Sequence, residues 1–229
     1  MIRSDLARNA FRTLSLSTLL LACSAAASEP LDLRRVDALV GDAAAGKTRA
    51  TVCSACHGPL GIAAVPLFPS LAGQKAEYLY WRLVAFKRGA KPDSPMTAQV
   101  ANLDDTAMRD LAAWFASQPA SAPTGAANDL ATRGGTLYRD GDAALGIPPC
   151  QGCHGADAHG HPRADDDAHW RVYPALRGQH AAYIAQRLKD LGAEANPPSS
   201  SAHVMAPIAR SLDANAIAAI AAWLESGAP

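Results

Sequence analysis

The chain has 229 residues, 49% hydrophobic and 18% charged, which suits a folded globular protein and excludes a disordered or collagenous one. Its 21 basic and 21 acidic side chains cancel, so no bulk positive charge is available to hold a nucleic-acid backbone. The five cysteines are odd in number and too few for a disulfide-stapled scaffold of this length, so their spacing carries more than their count.

In chain order the first element is an address. Arg3, Arg8 and Arg12 precede an apolar stretch from Leu14 to Ala27 that ends in small residues. This is the layout of a secretory signal peptide over residues 1–27. Ser15, Ser17 and Thr18 interrupt the stretch, which is too short for a membrane span. Cys23 is the unpaired cysteine. Cleavage near Ala27 or Ser28, the favoured reading, discards it; the alternative is a lipoprotein signal, Leu20-Leu21-Ala22-Cys23, that tethers the chain to a membrane through a lipidated Cys23. Both place the mature chain outside the cytoplasm, and loss of residues 1–27 leaves 18 basic and 20 acidic side chains.

The rest of the chain is a duplication. Cys53, Cys56, His57 and Gly58 recur as Cys150, Cys153, His154 and Gly155, 97 residues on. Pro69, Leu71, Gly73, Gln74 and Tyr78 recur as Pro174, Leu176, Gly178, Gln179 and Tyr183, 105 residues on. Met96, Leu103, Asp104 and Trp114 recur as Met205, Leu212, Asp213 and Trp223, 109 residues on. An ordered set of landmarks that runs twice marks an internal repeat. The first copy spans residues 37–117 and the second 130–227; the Pro-, Ala-, Ser- and Gly-rich stretch 118–129 reads as a linker.

Helices dominate both copies. Ala76, Leu79, Tyr80, Leu83 and Val84 follow helical spacing, and Ala181, Ile184, Ala185 and Leu188 repeat that face. The last helix of each copy starts at an N-cap aspartate, Asp104 or Asp213, with Leu103 or Leu212 placed to staple onto Met108 or Ile217. No stretch shows a sustained strand pattern, so the fold class is all-α.

Cys-x-x-Cys-His is the attachment signature of c-type haem. Two thiols one helical turn apart can each add to a vinyl group on one porphyrin edge, and the next histidine is then held under the iron. A redox dithiol would want a βαβ context, a zinc site would have to draw ligands from motifs nearly a hundred residues apart, and plain disulfides leave both histidines unexplained. The expectation is therefore two haem c groups, bound through Cys53, Cys56, Cys150 and Cys153, with His57 and His154 on the irons. After signal removal only Met96, Met108 and Met205 can supply a thioether. Met108 stands at a staple position and reads as core. Met96 and Met205 align and follow Pro- and Ser-rich loop sequence, so the assignments are His57 with Met96 and His154 with Met205; His203 is the competitor in the second copy. A thioether ligand raises the potential, and a six-coordinate iron does not readily bind substrate, which points to electron transfer. The second copy alone carries an insert with His159, His161, Asp165, Asp166, Asp167 and His169, either a solvated loop or a metal site.

Taken together, both Cys-x-x-Cys-His-Gly motifs, Leu71-Ala72-Gly73-Gln74, Tyr78-Leu79, Phe86 to Gly89, Met96, Leu103-Asp104, Trp114-Phe115 and their second-copy partners resemble the cytochrome c4 family. The resemblance covers nearly all of residues 40–227. It implies two tandem class I cytochrome c domains, each wrapped around one covalent haem c, that face each other across a pseudo-twofold interface. It implies a periplasmic or membrane-tethered electron shuttle that passes electrons from a quinol-oxidising complex or dehydrogenase towards a terminal oxidase or other acceptor, with redox proteins as partners. It also implies that an early helix in each domain crosses the last one near Trp114 or Trp223, with Gly46, Gly134 and Gly135 at the contact. Arg82 and Arg187 align, either to meet haem propionates or to form an exposed helix face. The insert and the polar loop Asn196 to Ser201 depart from the family pattern. The alternatives are a di-haem oxidoreductase, of peroxidase or thiosulfate-oxidising type, and a cytochrome subunit of a dehydrogenase complex. The first of these would need an open iron or a spare cysteine.

Overall fold

The computed structural model describes residues 29–228, so the signal region and Cys23 lie outside the described residues. The first copy contributes α1 (Ala43–Arg49), α2 (Ser54–His57), α3 (Ala76–Lys87), α4 (Pro95–Val100) and α5 (Asp105–Ala116). The second contributes α6 (Asp129–Asp140), α7 (Gln151–His154), α8 (Ala181–Ala193), α9 (Ser200–Arg210) and α10 (Ala214–Glu225). Among the described residues the only β pairing is three isolated bridges, so the fold is all-α as expected. No single described helix is long and apolar enough to cross a membrane.

Side-chain caps set where the helices start. Asp104 accepts from the Ala107 N–H and Asp213 from the Ala216 N–H, each at 2.7 Å. Asp42 and Asn128 cap α1 and α6 in the same way. Each cap satisfies an amide that the helix cannot pair internally. Leu103 joins the buried cluster of Met108, Leu111 and Phe115, as the staple predicts, and Met108 is core.

In each copy the first helix crosses the last at a glycine. A Cβ on Gly46 would stand 2.0 Å from the Asp110 carbonyl oxygen, and one on Gly134 would stand 1.9 Å from that of Ala219. Trp114 and Trp223 flank these contacts, as expected from the resemblance. The second crossing is the drier one: Trp223 and Tyr138 are fully buried, with ring centroids 4.5 Å apart.

A pair of reciprocal amide clamps joins the two copies. The Gln74 side chain donates to the Ala175 carbonyl and accepts from the Ala175 N–H, both at 2.8 Å. The Gln179 side chain donates to the Ser70 carbonyl at 2.9 Å and accepts from the Ser70 N–H at 2.8 Å. Gln179 is the repeat partner of Gln74, and Ala175 that of Ser70, so the two clamps are related by a pseudo-twofold axis. Tyr78 and Tyr183 also approach here, and burial followed by the neighbouring Tyr78 pushes the Tyr183 hydroxyl up to about 12. Lys91 pairs with Asp190 across the same interface. The stretch between the copies is more than a spacer: Ala120 and Ser121 lie against Gly73 and Gly178, and the amides of Thr124 and Gly125 both bond the Glu225 carbonyl.

Ser70, Gln74 and Gln179 are all buried, so an unpaired amide there has no water to fall back on. Gln179→Glu keeps the acceptor for the Ser70 N–H but loses the donor to the Ser70 carbonyl. It is expected to cost about 2 kcal/mol in a guanidinium unfolding titration. A loss below about 0.5 kcal/mol would mean that water reaches this interface.

Candidate haem-binding sites

Both Cys-x-x-Cys-His motifs fold into the same single turn of helix. Cys53 and Cys150 occupy the N-cap positions of α2 and α7 with backbone angles of −70°, −29° and −68°, −29°. The amide of each histidine bonds back to the carbonyl of the first cysteine, at 3.0 Å for His57 and 3.1 Å for His154. This places both thiols and the imidazole of each motif on one short turn. The following glycine ends the turn with a positive φ, 79° at Gly58 and 81° at Gly155. A Cβ there would also strike a backbone oxygen, that of Ile62 at 2.0 Å or Gly160 at 2.2 Å. Only glycine combines that conformation with that approach.

The imidazoles are buried, at 6% exposure for His57 and 5% for His154. Each Nδ1 lies 2.9 Å from a proline carbonyl, Pro69 for His57 and Pro174 for His154. A carbonyl can only accept, so Nδ1 holds the proton and the Nε2 lone pair is left free for a metal. Burial lowers the pKa of both rings and so disfavours their charged form, with the proline carbonyl acting in the opposite sense. The Nε2 of His154 is one of two buried polar side-chain atoms without a hydrogen-bond partner among the described residues. An orphaned buried acceptor is costly unless something fills its valence, and a haem iron does so.

An aromatic ring meets each histidine edge-on: Phe68 for His57 and Tyr173 for His154, both at 6.2 Å between centroids. In the second copy Tyr138 adds an anchor, donating its hydroxyl proton to the Gly155 carbonyl at 2.6 Å. Pro69 and Pro174 stand in the sequence repeat, but their role as acceptors is visible only in three dimensions. Phe68 and Tyr173 sit one residue before them, so extending the repeat by one position would have found both.

The thiol environments argue against a redox dithiol. Burial raises Cys53 and Cys153 and pushes Cys150 up to about 11, whereas a reactive dithiol needs a lowered pKa. No disulfide joins these four cysteines; Cys56 is exposed and the others are half-buried. Cys53 packs against the core with Leu71, and Cys150 with Leu176 and Leu188.

The methionines sit on helices, not on the loops their flanking residues suggest. Met96 is the second residue of α4, which lies on α3, and Met205 is in the middle of α9, which lies on α8. Ser94 and Ser199 act as N-caps and convert the ends of those polar stretches into helix starts. Leu188 touches both the Met205 cluster and the core that includes Cys150, so Met205 and the second motif share one wall. His203 is exposed. Arg82 and Arg187 are half-buried near Tyr183, and Arg82 lies over the Phe86 ring. In the insert the His161 ring stacks on Trp170 at 3.7 Å, and His169 meets the same ring edge-on at 4.6 Å. Among the described residues no three His, Cys, Asp or Glu side chains converge as a metal site.

The residues present therefore fit two covalent haem groups, one per copy. Known proteins agree. The profile of the Cytochrome c family matches residues 43–119 and again 131–228. Cytochrome c4 of Azotobacter vinelandii is 41% identical over 196 residues, which cover 81% of this chain and 89% of that protein. A thiosulfate dehydrogenase electron acceptor of Thiomonas intermedia (strain K12) is 34% identical, covering 79% of this chain and 81% of its own length. The crystal structure of reduced recombinant cytochrome c4 from Pseudomonas stutzeri superposes with a TM-score of 0.72 at 35% identity, covering 82% of this chain and 99% of that one. With two matched haem domains and relatives that align along most of their length, this chain belongs to the cytochrome c4 family of di-haem electron carriers.

Proposed function

We propose that the chain is an exported electron carrier with no catalytic activity of its own. The proposed haem domains span 37–117 and 130–227, with thioether bonds from Cys53, Cys56, Cys150 and Cys153. The axial pairs are His57 with Met96 and His154 with Met205. The observation that carries this reading is the His154 ring, buried, held by the Pro174 carbonyl and left with an unpartnered Nε2. When bound, each haem supplies one ferric–ferrous couple. The chain's own residues hold the two centres still: the proline carbonyls orient the imidazoles, and the Gln74 and Gln179 clamps fix one domain against the other.

The donor is a quinol-oxidising complex or a dehydrogenase, and the acceptor a terminal oxidase, on the periplasmic side. The relative named as the electron acceptor of thiosulfate dehydrogenase supports a dehydrogenase as donor and the carrier role over an enzymatic one. Spectroscopic redox titration of the purified protein tests the proposal. Two covalent haems are expected, both low-spin and six-coordinate in the resting protein. A high-spin haem at rest would favour a di-haem enzyme instead.

A further inference from the structure

Three features of this chain depart from its repeated plan: the segment ahead of α1, the insert after the second motif and the polar loop before α9. The structure brings all three together. Leu31 forms a parallel bridge with Ser199. Its N–H donates to the Pro198 carbonyl and its own carbonyl accepts from the Ser200 N–H, both at 2.9 Å. The Leu33 N–H donates to the Ser200 hydroxyl at 2.8 Å. Leu33 and Val36 are buried with Val172 of the second copy, and Leu31 and Trp81 of α3 pack against them. The Arg171 guanidinium closes the patch by donating to the Val36 carbonyl at 2.9 Å.

Ser200 is the first residue of α9, so its amide is among those the helix cannot satisfy itself. Leu31 supplies that partner, while the Ser199 hydroxyl accepts from the Ala202 N–H at 3.2 Å. Five residues on, the same helix carries Met205, packed against Leu191, Ala202 and Ala209. The first copy has no such device. There α4 begins at Pro95, which has no N–H to satisfy, and the Met96 N–H bonds the Ser94 hydroxyl within the same turn.

We infer that residues 31–36 are a strap that positions the Met205 helix, with Leu31 and Leu33 as positioning residues for the second haem's thioether ligand. This rests on the reading of Met205 as that ligand. The strap makes the two methionine arms unequal: Met96 is held by its own turn, Met205 by chain from outside its domain. Loosening the strap raises the population in which Met205 is away from the iron, and an added ligand then competes more easily there.

The test uses the full mature protein with both haems. Imidazole affinity for each ferric iron and both midpoint potentials are measured in Leu31→Ala/Leu33→Ala and in the milder Ser200→Ala, with Met205→Ala identifying the second haem's signals. The expected result is about tenfold tighter imidazole binding at the second haem with the first unchanged, and recovery in Leu33→Met. Unchanged binding in both strap variants, with Met205→Ala opening the site, would overturn the strap and leave the ligand assignment standing. Equally tighter imidazole binding at both haems would overturn it as well, since general destabilisation is not positioning. If Met205→Ala leaves the second haem closed to imidazole, the ligand reading fails and the inference falls with it.

Discussion

Gly134→Ala should destabilise the second domain by about 3 kcal/mol or more, because the added methyl has nowhere to go. Its Cβ would stand 1.9 Å from the Ala219 carbonyl oxygen, 2.4 Å from that carbonyl carbon and 2.9 Å from the Trp223 Cβ. Two of these are backbone atoms of α10, which do not rotate aside. The opposing effect is the better helix propensity of alanine, about 1 kcal/mol, and it is the smaller of the two. To make room, α6 would have to lift off α10 and pull Tyr138 away from Trp223, and both side chains are fully buried. A guanidinium titration followed by far-ultraviolet circular dichroism should show the second domain unfolding first. Gly46→Ala should do the same to the first domain, where the Asp110 carbonyl oxygen is 2.0 Å from the new Cβ. A loss below about 1 kcal/mol in either variant would mean that the helices cross more loosely than the structure shows.

Met205→Ala should lower the potential of one haem by on the order of 100 mV or more and leave the other nearly intact. A thioether stabilises ferrous iron relative to the water or second imidazole that would replace it, so its loss favours the ferric state. The effect stays in one domain because Met205 packs with α8 and α9 residues of the second copy, whereas Met96 sits on α4 of the first. Met96→Ala is the mirror experiment and should move the other potential. If both potentials stay put in Met205→Ala, the ligand assignment is wrong. His203, exposed on α9 two residues earlier, would then be the next side chain to replace.

Much of this architecture was legible in the chain itself. The two Cys-x-x-Cys-His motifs specify their own geometry, because a single helical turn with a glycine stop is a local structure. The capping aspartates and the apolar stripes of α3, α5, α8 and α10 likewise act within a few residues of themselves. Repetition made the reading stronger, since each landmark in one copy checked its partner in the other. The methionine arms are less legible. Runs of Pro and Ser suggest loop, yet a serine at the N-cap followed by Ala202, Met205, Ala206 and Ala209 closes a helix once α8 offers a surface to pack on.

What the residues could not announce by themselves are the contacts between distant parts of the chain. Gln74 and Gln179 are visible as a repeated pair, but their pairing with Ala175 and Ser70 depends on the two domains meeting face to face. The free Nε2 of His154 depends on the Pro174 carbonyl, 20 residues away, arriving at Nδ1. The strap depends on Leu31 reaching Ser200 across most of the chain. Periodicity and capping report interactions over one or two turns, so the sequence alone determined the haem count, the helical class and the duplication. Hydrogen bonds and packing across a hundred residues exist only after the chain has closed on itself, and so only the tertiary structure decided how the two sites are clamped together and how unequally their methionine arms are held.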